Sequence, residues 1–475
     1  MKKLKLGFVP TRRFCFSVED AHKYKNLIRE KLREWNVDFI GIDSITEEGL
    51  LIHRTDAPKI SKFMKEQEVD ALFFPHCNFG TEEVVAQVAK EVGKPVLIWG
   101  PRDERPLENG IRLRDSQCGL FATSNVLQKF GVPFTYIVSS SVDSLVFERG
   151  FKNFLGAASA AKNFLSAKIG QISTRPTNFY TVIINEQELL AKWGIETVPI
   201  TQLQVVDGAN ELLRDKVLIK NETESILSRL DIQRCGIDRT TVEKIAALKI
   251  YIHNWALENN ISAIAIRCHE DIPAAMGVYT CFVNAELTDA GIPMVCETDI
   301  HGALSSLLVE GAAMGEKVSF FADLTNRHPD NDNAELLWHC GNFPYSLCDD
   351  PGAAYLGGHC NIPPHRPGTV NYEIKGGDIT IARFDGMNGE YSLLIGEGRS
   401  VPGPWNQGTY TWMEVDNWPL WEERIIYGPY VHHVAGINGK YAPALYEATK
   451  YIKGLKADPV QPDEDRIKRY LRGEI

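Results

Sequence analysis

Four short apolar runs between residues 261 and 339 each stop abruptly at charged or ligand-type residues. This feature constrains the fold more than any other in the chain. Ile261-Ser-Ala-Ile-Ala-Ile266 runs into Arg267-Cys268-His269-Glu270, and Gly291-Ile-Pro-Met-Val-Cys296 into Glu297-Thr298-Asp299-Ile300-His301. Val318-Ser-Phe-Phe-Ala322 ends in Asp323, and Leu336-Leu-Trp338 in His339. A continuous apolar run of this length reads as a buried strand of a parallel sheet. In open α/β sheets, polar functional side chains gather at the carboxyl edge of such strands. The pattern therefore predicts an α/β domain with carboxylates and histidines along one sheet edge.

The flanking chain fits the same layout. Strands at Lys5–Pro10, Val37–Ile42, Ala71–Phe74 and Pro95–Trp99 alternate with helical segments at Val18–Trp35, Ala57–Gln67 and Glu82–Val92, the signature of a doubly wound parallel sheet. A helix over Phe147–Ala167 closes this unit, and a second α/β unit starts near residue 167. Beyond residue 345 glycine, proline and aromatics rise, and short alternating runs such as Ile379–Phe384 and Tyr391–Ile395 appear. That texture predicts antiparallel β structure, barrel-like, followed by a helix over Ala442–Leu455 and a charged surface tail. The expected fold is two Rossmann-like doubly wound α/β domains, 1–166 and 167–345, plus a mainly antiparallel β domain, 346–475.

Composition narrows the function classes. A net charge of −11, with no basic run interleaved with aromatics, argues against a nucleic-acid partner. No apolar stretch reaches membrane-spanning or signal-peptide length. The ten cysteines show no CxxC pair, so free thiols in a cytoplasmic protein are expected rather than a disulfide framework or a thiolate zinc site. Markers for dinucleotide binding, phosphate loops, serine hydrolases and zincins are missing.

Glu297 and Asp323 are the strongest chemical pair. Either carboxylate alone is more simply a helix cap; two acids and a histidine at neighbouring strand ends point to a metal site. Carboxylates suit Mg²⁺ or Mn²⁺, and added imidazoles shift preference toward Mn²⁺, Co²⁺ or Zn²⁺. Such carboxylates can also act as acid and base. His339 alone reads more simply as a core histidine. His432 and His433 are adjacent, and on a strand only one of them can enter a site. His359-Cys360 and His365-Arg366 read as loop residues without a role.

These segments, together with Leu337-Trp-His-Cys-Gly-Asn-Phe-Pro344 and Tyr430-Val-His-His-Val-Ala435, resemble the L-fucose isomerase and L-arabinose isomerase superfamily. The resemblance implies a homo-oligomer, trimer or hexamer, with an active site shared between subunits. It implies Mn²⁺, with Co²⁺ or Mg²⁺ as alternatives, held by Glu297, Asp323 and one of His432 and His433, with His433 preferred; His339 sits where the arabinose branch places a further ligand. The implied reaction is aldose–ketose isomerisation of an open-chain sugar through a cis-enediol, with Glu297 and Asp323 as the catalytic acid and base. Its substrate would be of the L-fucose/D-arabinose type, and Arg12, Arg13, Arg102, Arg105, Arg112, Arg114 and Arg267, any of which could reach the site, add an anionic hexose as an alternative. Arg13, Arg102, Arg267, His269, Asp299, Trp338 and Trp405 are the candidate sugar contacts. A different metal-dependent epimerase or aldolase, or a non-catalytic sugar-binding protein, are the competing readings.

Overall fold

The structure is a computed structural model and describes residues 4–475. The chain forms two compact units: residues 4–162 with 443–451 and 464–475, and residues 163–442 with 452–463.

In the first unit, strands β1 (Leu6–Phe8), β2 (Phe39–Gly41), β3 (Ala71–Pro75), β4 (Val96–Trp99) and β5 (Thr135–Ile137) form one parallel sheet in the order β2-β1-β3-β4-β5. Helices cover it because their sequences are amphipathic. Helix Val18–Glu34 starts where Ser17 accepts a hydrogen bond from the Asp20 amide, and it buries Ala21, Lys25, Ile28 and Leu32 along one stripe. Helix Leu145–Phe164 packs Phe147 flat on Trp99, with ring centroids 3.7 Å apart.

The second unit joins a parallel sheet to a barrel. Strands β6 (Lys168–Ile172), β7 (Glu196–Ile200), β8 (Ala263–Ile266) and β9 (Met294–Val295) form a parallel sheet ordered β7-β6-β8-β9. Nine more strands follow: β10 (Ser319–His328), β11 (Asn331–His339), β12 (Tyr355–Gly358), β13 (Pro367–Glu373), β14 (Asp378–Met387), β15 (Glu390–Val401), β16 (Thr409–Glu414), β17 (His433–Asn438) and β18 (Leu455–Gln461). Six of them close on themselves in the order β16-β11-β10-β17-β14-β15 and back to β16, every pairing antiparallel. Closure satisfies the strand edges that an open sheet would expose.

The fold class agrees with the sequence reading, but two of the four apolar runs change place. β8 and β9 are parallel strands as expected; β10 and β11 are barrel strands, so the barrel starts at Ser319. A short apolar run records burial on both faces and cannot distinguish a parallel partner from an antiparallel one. The C-terminal segment differs too. The helix there is Ala442–Ala448, and Leu455–Gln461 pairs in parallel with β15 instead of lying on the surface. Its charges and Pro459 hide the pattern, and they are tolerated because β18 is an edge strand.

Helix Ile300–Ala312 is buried all round, as its run of apolar and small residues requires. It packs against β8 of the parallel sheet and β10, β14 and β17 of the barrel. Gly302 permits the close approach: a Cβ there would lie 2.5 Å from the Phe321 ring. Near its far end the buried Glu310 accepts from both the amide (3.0 Å) and the hydroxyl (2.9 Å) of Ser319. Burial outweighs these bonds and pushes the Glu310 carboxyl from its usual 4.5 up to about 7. Below 4.5 the group is protonated whether folded or unfolded. As pH rises to about 7 the unfolded chain releases its proton first, so stability falls, by on the order of 3 kcal/mol. Glu310→Gln keeps the acceptor. It is expected to raise Tm at pH 8 and leave it unchanged near pH 4.5; an equal effect at both pH values would refute this assignment.

Among the described residues no helix is long and apolar enough to cross a membrane, and all ten cysteines are free thiols.

Candidate metal centre and active site

The centre lies in the second unit, where the carboxyl edge of the parallel sheet meets the barrel. β8 and β9 are parallel neighbours, so the residues leaving them, His269 and Glu297, emerge on one edge, with His269 Nε2 3.4 Å from Glu297 Oε1. Glu297 and Thr298 both adopt left-handed backbone, φ 64° and 58°, at a cost of about 1–3 kcal/mol each for non-glycine residues. The turn is held because the Thr298 amide donates to Ile266 O (3.0 Å) and Asp299 caps the next helix through the Gly302 amide (2.9 Å). The strained turn sets Glu297 at the barrel.

Barrel register supplies the other half. Asp323 of β10 stands directly opposite His433 of β17 on one side and Trp338 of β11 on the other, and directly opposed residues share a face. His433 Nε2 lies 3.0 Å from Glu297 Oε2 and 3.5 Å from Asp323 Oδ1, and His339 Nε2 lies 4.0 Å from Asp323 Oδ1. His432 precedes the strand and is solvent-exposed, yet it too offers a ligand atom within 4.8 Å of those of Asp323 and His433.

Behind this group sits a buried charged network. Asp299 Oδ2 lies 2.9 Å from His433 Nδ1 and accepts from Arg383. Arg383 also donates through Nε to Asp385 (2.9 Å), which pairs with His301 Nδ1 at 3.0 Å. The electrostatics follow. Burial would raise Glu297, but His269 and His433 override it and hold the carboxyl well below the usual range. For Asp323 burial wins over the His433 attraction, and the Glu297 charge adds to it, so its carboxyl rises to about 7. Burial would lower His433, but Asp299 and Glu297 carry it up to about 10. Burial drives His339 down to about 3. Neighbouring acids are thus split into one ionised and one near neutrality, a separation typical of acid/base sites.

Two domain families match the chain. "Fucose/sulfoquinovose isomerase, N-terminal domain" matches residues 7–165, and "L-fucose isomerase, C-terminal domain" matches 337–455. The chain belongs to the fucose isomerase-like superfamily. Within this isomerase superfamily it is similar to a sulfoquinovose isomerase of Priestia aryabhattai, 26% identical over 84% of this chain and 86% of that one. It is also similar to sulfoquinovose isomerases of Alkalicoccus urumqiensis, 27% identical over 72% and 75% of the two chains, and of Clostridium sp. (strain MSTE9), 26% identical over 70% and 73%.

The donor set of this superfamily member fits a divalent cation. Asp323 Oδ1 and His339 Nε2 are buried without a hydrogen-bond partner, an expensive state for polar atoms, and the buried His433 Nε2 faces the Glu297 and Asp323 carboxylates. With Nδ1 of His433 engaged by Asp299, its Nε2 is the nitrogen left for a ligand, the usual arrangement behind a metal-bound histidine.

The structure separates the candidate sugar contacts. His269 adjoins Glu297, and the half-buried Trp338 stands beside Asp323, its Nε1–H donating to Gln407 O (2.6 Å). Asp299 is fully buried and occupied by Arg383, His433 and the Gly302 amide, so it supports His433 and has no surface for a sugar. Arg267 pairs with Glu270. Trp405 is 63% exposed. Arg13, paired with Glu82 and lying over the Phe79 ring, and Arg102 belong to the first unit.

Four residues around the site escaped the sequence reading. Arg383 had a visible signal: it shares a strand face with Ile379 and Ile381, where a charge needs a buried partner. His301 read as a mere neighbour of Glu297, and Asp385 gave no sign of its role. His359 looked like a loop residue, yet it is 2% exposed, and its Nδ1 accepts from the amides of Asn361 and Ile362 (both 3.2 Å). Its hydrogen is therefore on Nε2, buried and without a partner.

Proposed function

We propose that the protein is a metal-dependent aldose–ketose isomerase acting on an open-chain anionic hexose of the sulfoquinovose type by a cis-enediol route. The observation that carries this reading is the convergence of Glu297, Asp323 and His433 around atoms left without hydrogen bonds. The names of the relatives support the substrate class.

Glu297, Asp323 and His433, with His339 or His432 beside them, would hold Mn²⁺. A divalent cation there would supply the charge that polarises the sugar carbonyl and offsets the developing enediolate. Glu297, kept ionised by His269 and His433, takes the proton from C2 and returns it to C1. Asp323, poised near neutrality by burial, passes the hydroxyl proton between O1 and O2. Asp299 holds the His433 ring in place through Nδ1. Trp338 shields the reacting carbons from water. The reading also carries a homo-oligomer of cytoplasmic location, which sedimentation of the purified protein and fractionation of its cells test.

Metal-stripped protein is expected to form no ketose from any sugar and to regain activity with Mn²⁺. The panel is sulfoquinovose, L-fucose, D-arabinose, L-arabinose and glucose. Ketose from sulfoquinovose only with added cation is the expected result. Undiminished turnover after chelation overturns the metal role, and turnover of neutral sugars alone overturns the substrate class.

A further inference from the structure

A cleft of about 430 Å³ opens beside the centre, within the second unit, a volume in the range of small-ligand sites. Phe179, His269, Glu270, Tyr279 and Arg366 are among its walls. His269 is the seam: it lines the cleft and faces Glu297 at 3.4 Å. A sugar with C1 and C2 at the carboxylates can therefore extend past His269 into this cleft. The buried His359 ring packs behind this wall, 4.6 Å from Tyr279 and 6.2 Å from His269.

The charge of the cleft is uneven. Glu270 is neutralised by Arg267. Arg366 is half-buried, and no carboxylate lies within 4 Å of it among the described residues. Most arginines that the sequence offered for an anion are already committed: Arg12 to Glu48, Arg13 to Glu82, Arg112 to Asp115, Arg114 to Glu104 and Arg267 to Glu270. Among the described residues Arg366 is the arginine that brings a guanidinium without a carboxylate partner to the cleft that adjoins the reacting centre, and its planar fork suits a sulfonate through paired N–H···O bonds.

We infer that Arg366 is the specificity-determining residue that reads the anionic C6 end of the sugar, the C6 sulfonate seating against it while C1 and C2 lie at Glu297 and Asp323. This rests on the isomerase reading. C6 is remote from the reacting carbons, so the contact stabilises ground and transition states alike and belongs in KM rather than kcat.

The test compares Mn²⁺-loaded wild type, Arg366→Met and Arg366→Lys, with thermal unfolding as the check on folding. Binding of sulfoquinovose, glucuronate, glucose 6-phosphate and glucose is measured by calorimetry in the Glu297→Gln background, and turnover in the active one. Arg366→Met is expected to weaken sulfoquinovose at least about tenfold more than glucose, with the loss in KM and partial rescue by Arg366→Lys. Glucuronate or glucose 6-phosphate tracking sulfoquinovose would show a general C6-anion site; sulfoquinovose alone responding would show one shaped for sulfonate. Equal losses for anionic and neutral sugars, or none, overturn the role of Arg366. Binding needs no turnover, so selective binding without ketose would sink the isomerase reading and leave the anion site standing.

Discussion

Asp323→Asn is expected to cut ketose formation by about 10²–10⁴-fold while leaving the fold intact. The substitution is nearly isosteric. Asp323 Oδ1 has no hydrogen-bond partner to lose, and burial already disfavours its charge. The amide removes a proton carrier and a negative donor from the centre, so Mn²⁺ affinity falls alongside kcat. Ketose formation at saturating Mn²⁺ separates the two effects, and thermal unfolding checks the fold. Residual activity within tenfold of wild type would remove Asp323 from the chemistry.

Asp299→Asn is expected to produce the largest loss of stability. Asp299 and Arg383 are both fully buried, and breaking a buried ion pair by removing one partner costs about 3–5 kcal/mol. The asparagine carbonyl can still cap the helix through the Gly302 amide, so this cost isolates the charge. The Arg383 and His433 charges hold the Asp299 carboxyl far below its usual value against the cost of burial. A depressed carboxylate contributes stability above the unfolded carboxylate pKa, and that contribution is lost as pH falls into the acid range. Wild type and Asp299→Asn should therefore differ most near neutrality and converge in acid. His433 also loses the acceptor on Nδ1, which is expected to weaken Mn²⁺ binding by about 10–100-fold. Denaturant unfolding at two pH values and a Mn²⁺ titration check both. A change under about 1 kcal/mol with unaltered Mn²⁺ affinity would mean that Asp385 alone satisfies Arg383.

The sequence by itself determined the elements and the chemistry on offer. Apolar periodicity distinguished the helices flanking β1 to β4 from the strands, because one stripe or both faces must be buried. The stop from Val295-Cys296 to Glu297 marked a functional strand end, since a carboxylate after a buried strand needs either a cap or a ligand. The alternation of Ile379, Ile381 and Arg383 even held an unread sign of the buried network.

Only the tertiary structure decided which side chains meet. Asp323 and His433 are 110 residues apart (433 − 323) and become neighbours because β10 pairs with β17 in one register; sliding either strand by one residue would send them to opposite faces. Long-range register depends on barrel closure and on the helix Ile300–Ala312, which no local pattern encodes. Trp405 and Asp299 illustrate the same limit in opposite directions: Trp405, in the loop between β15 and β16, stays in solvent, and an acid two residues from Glu297 turns inward to hold a histidine. Residue type and spacing specify what a side chain can do; packing around the closed barrel specifies what it faces.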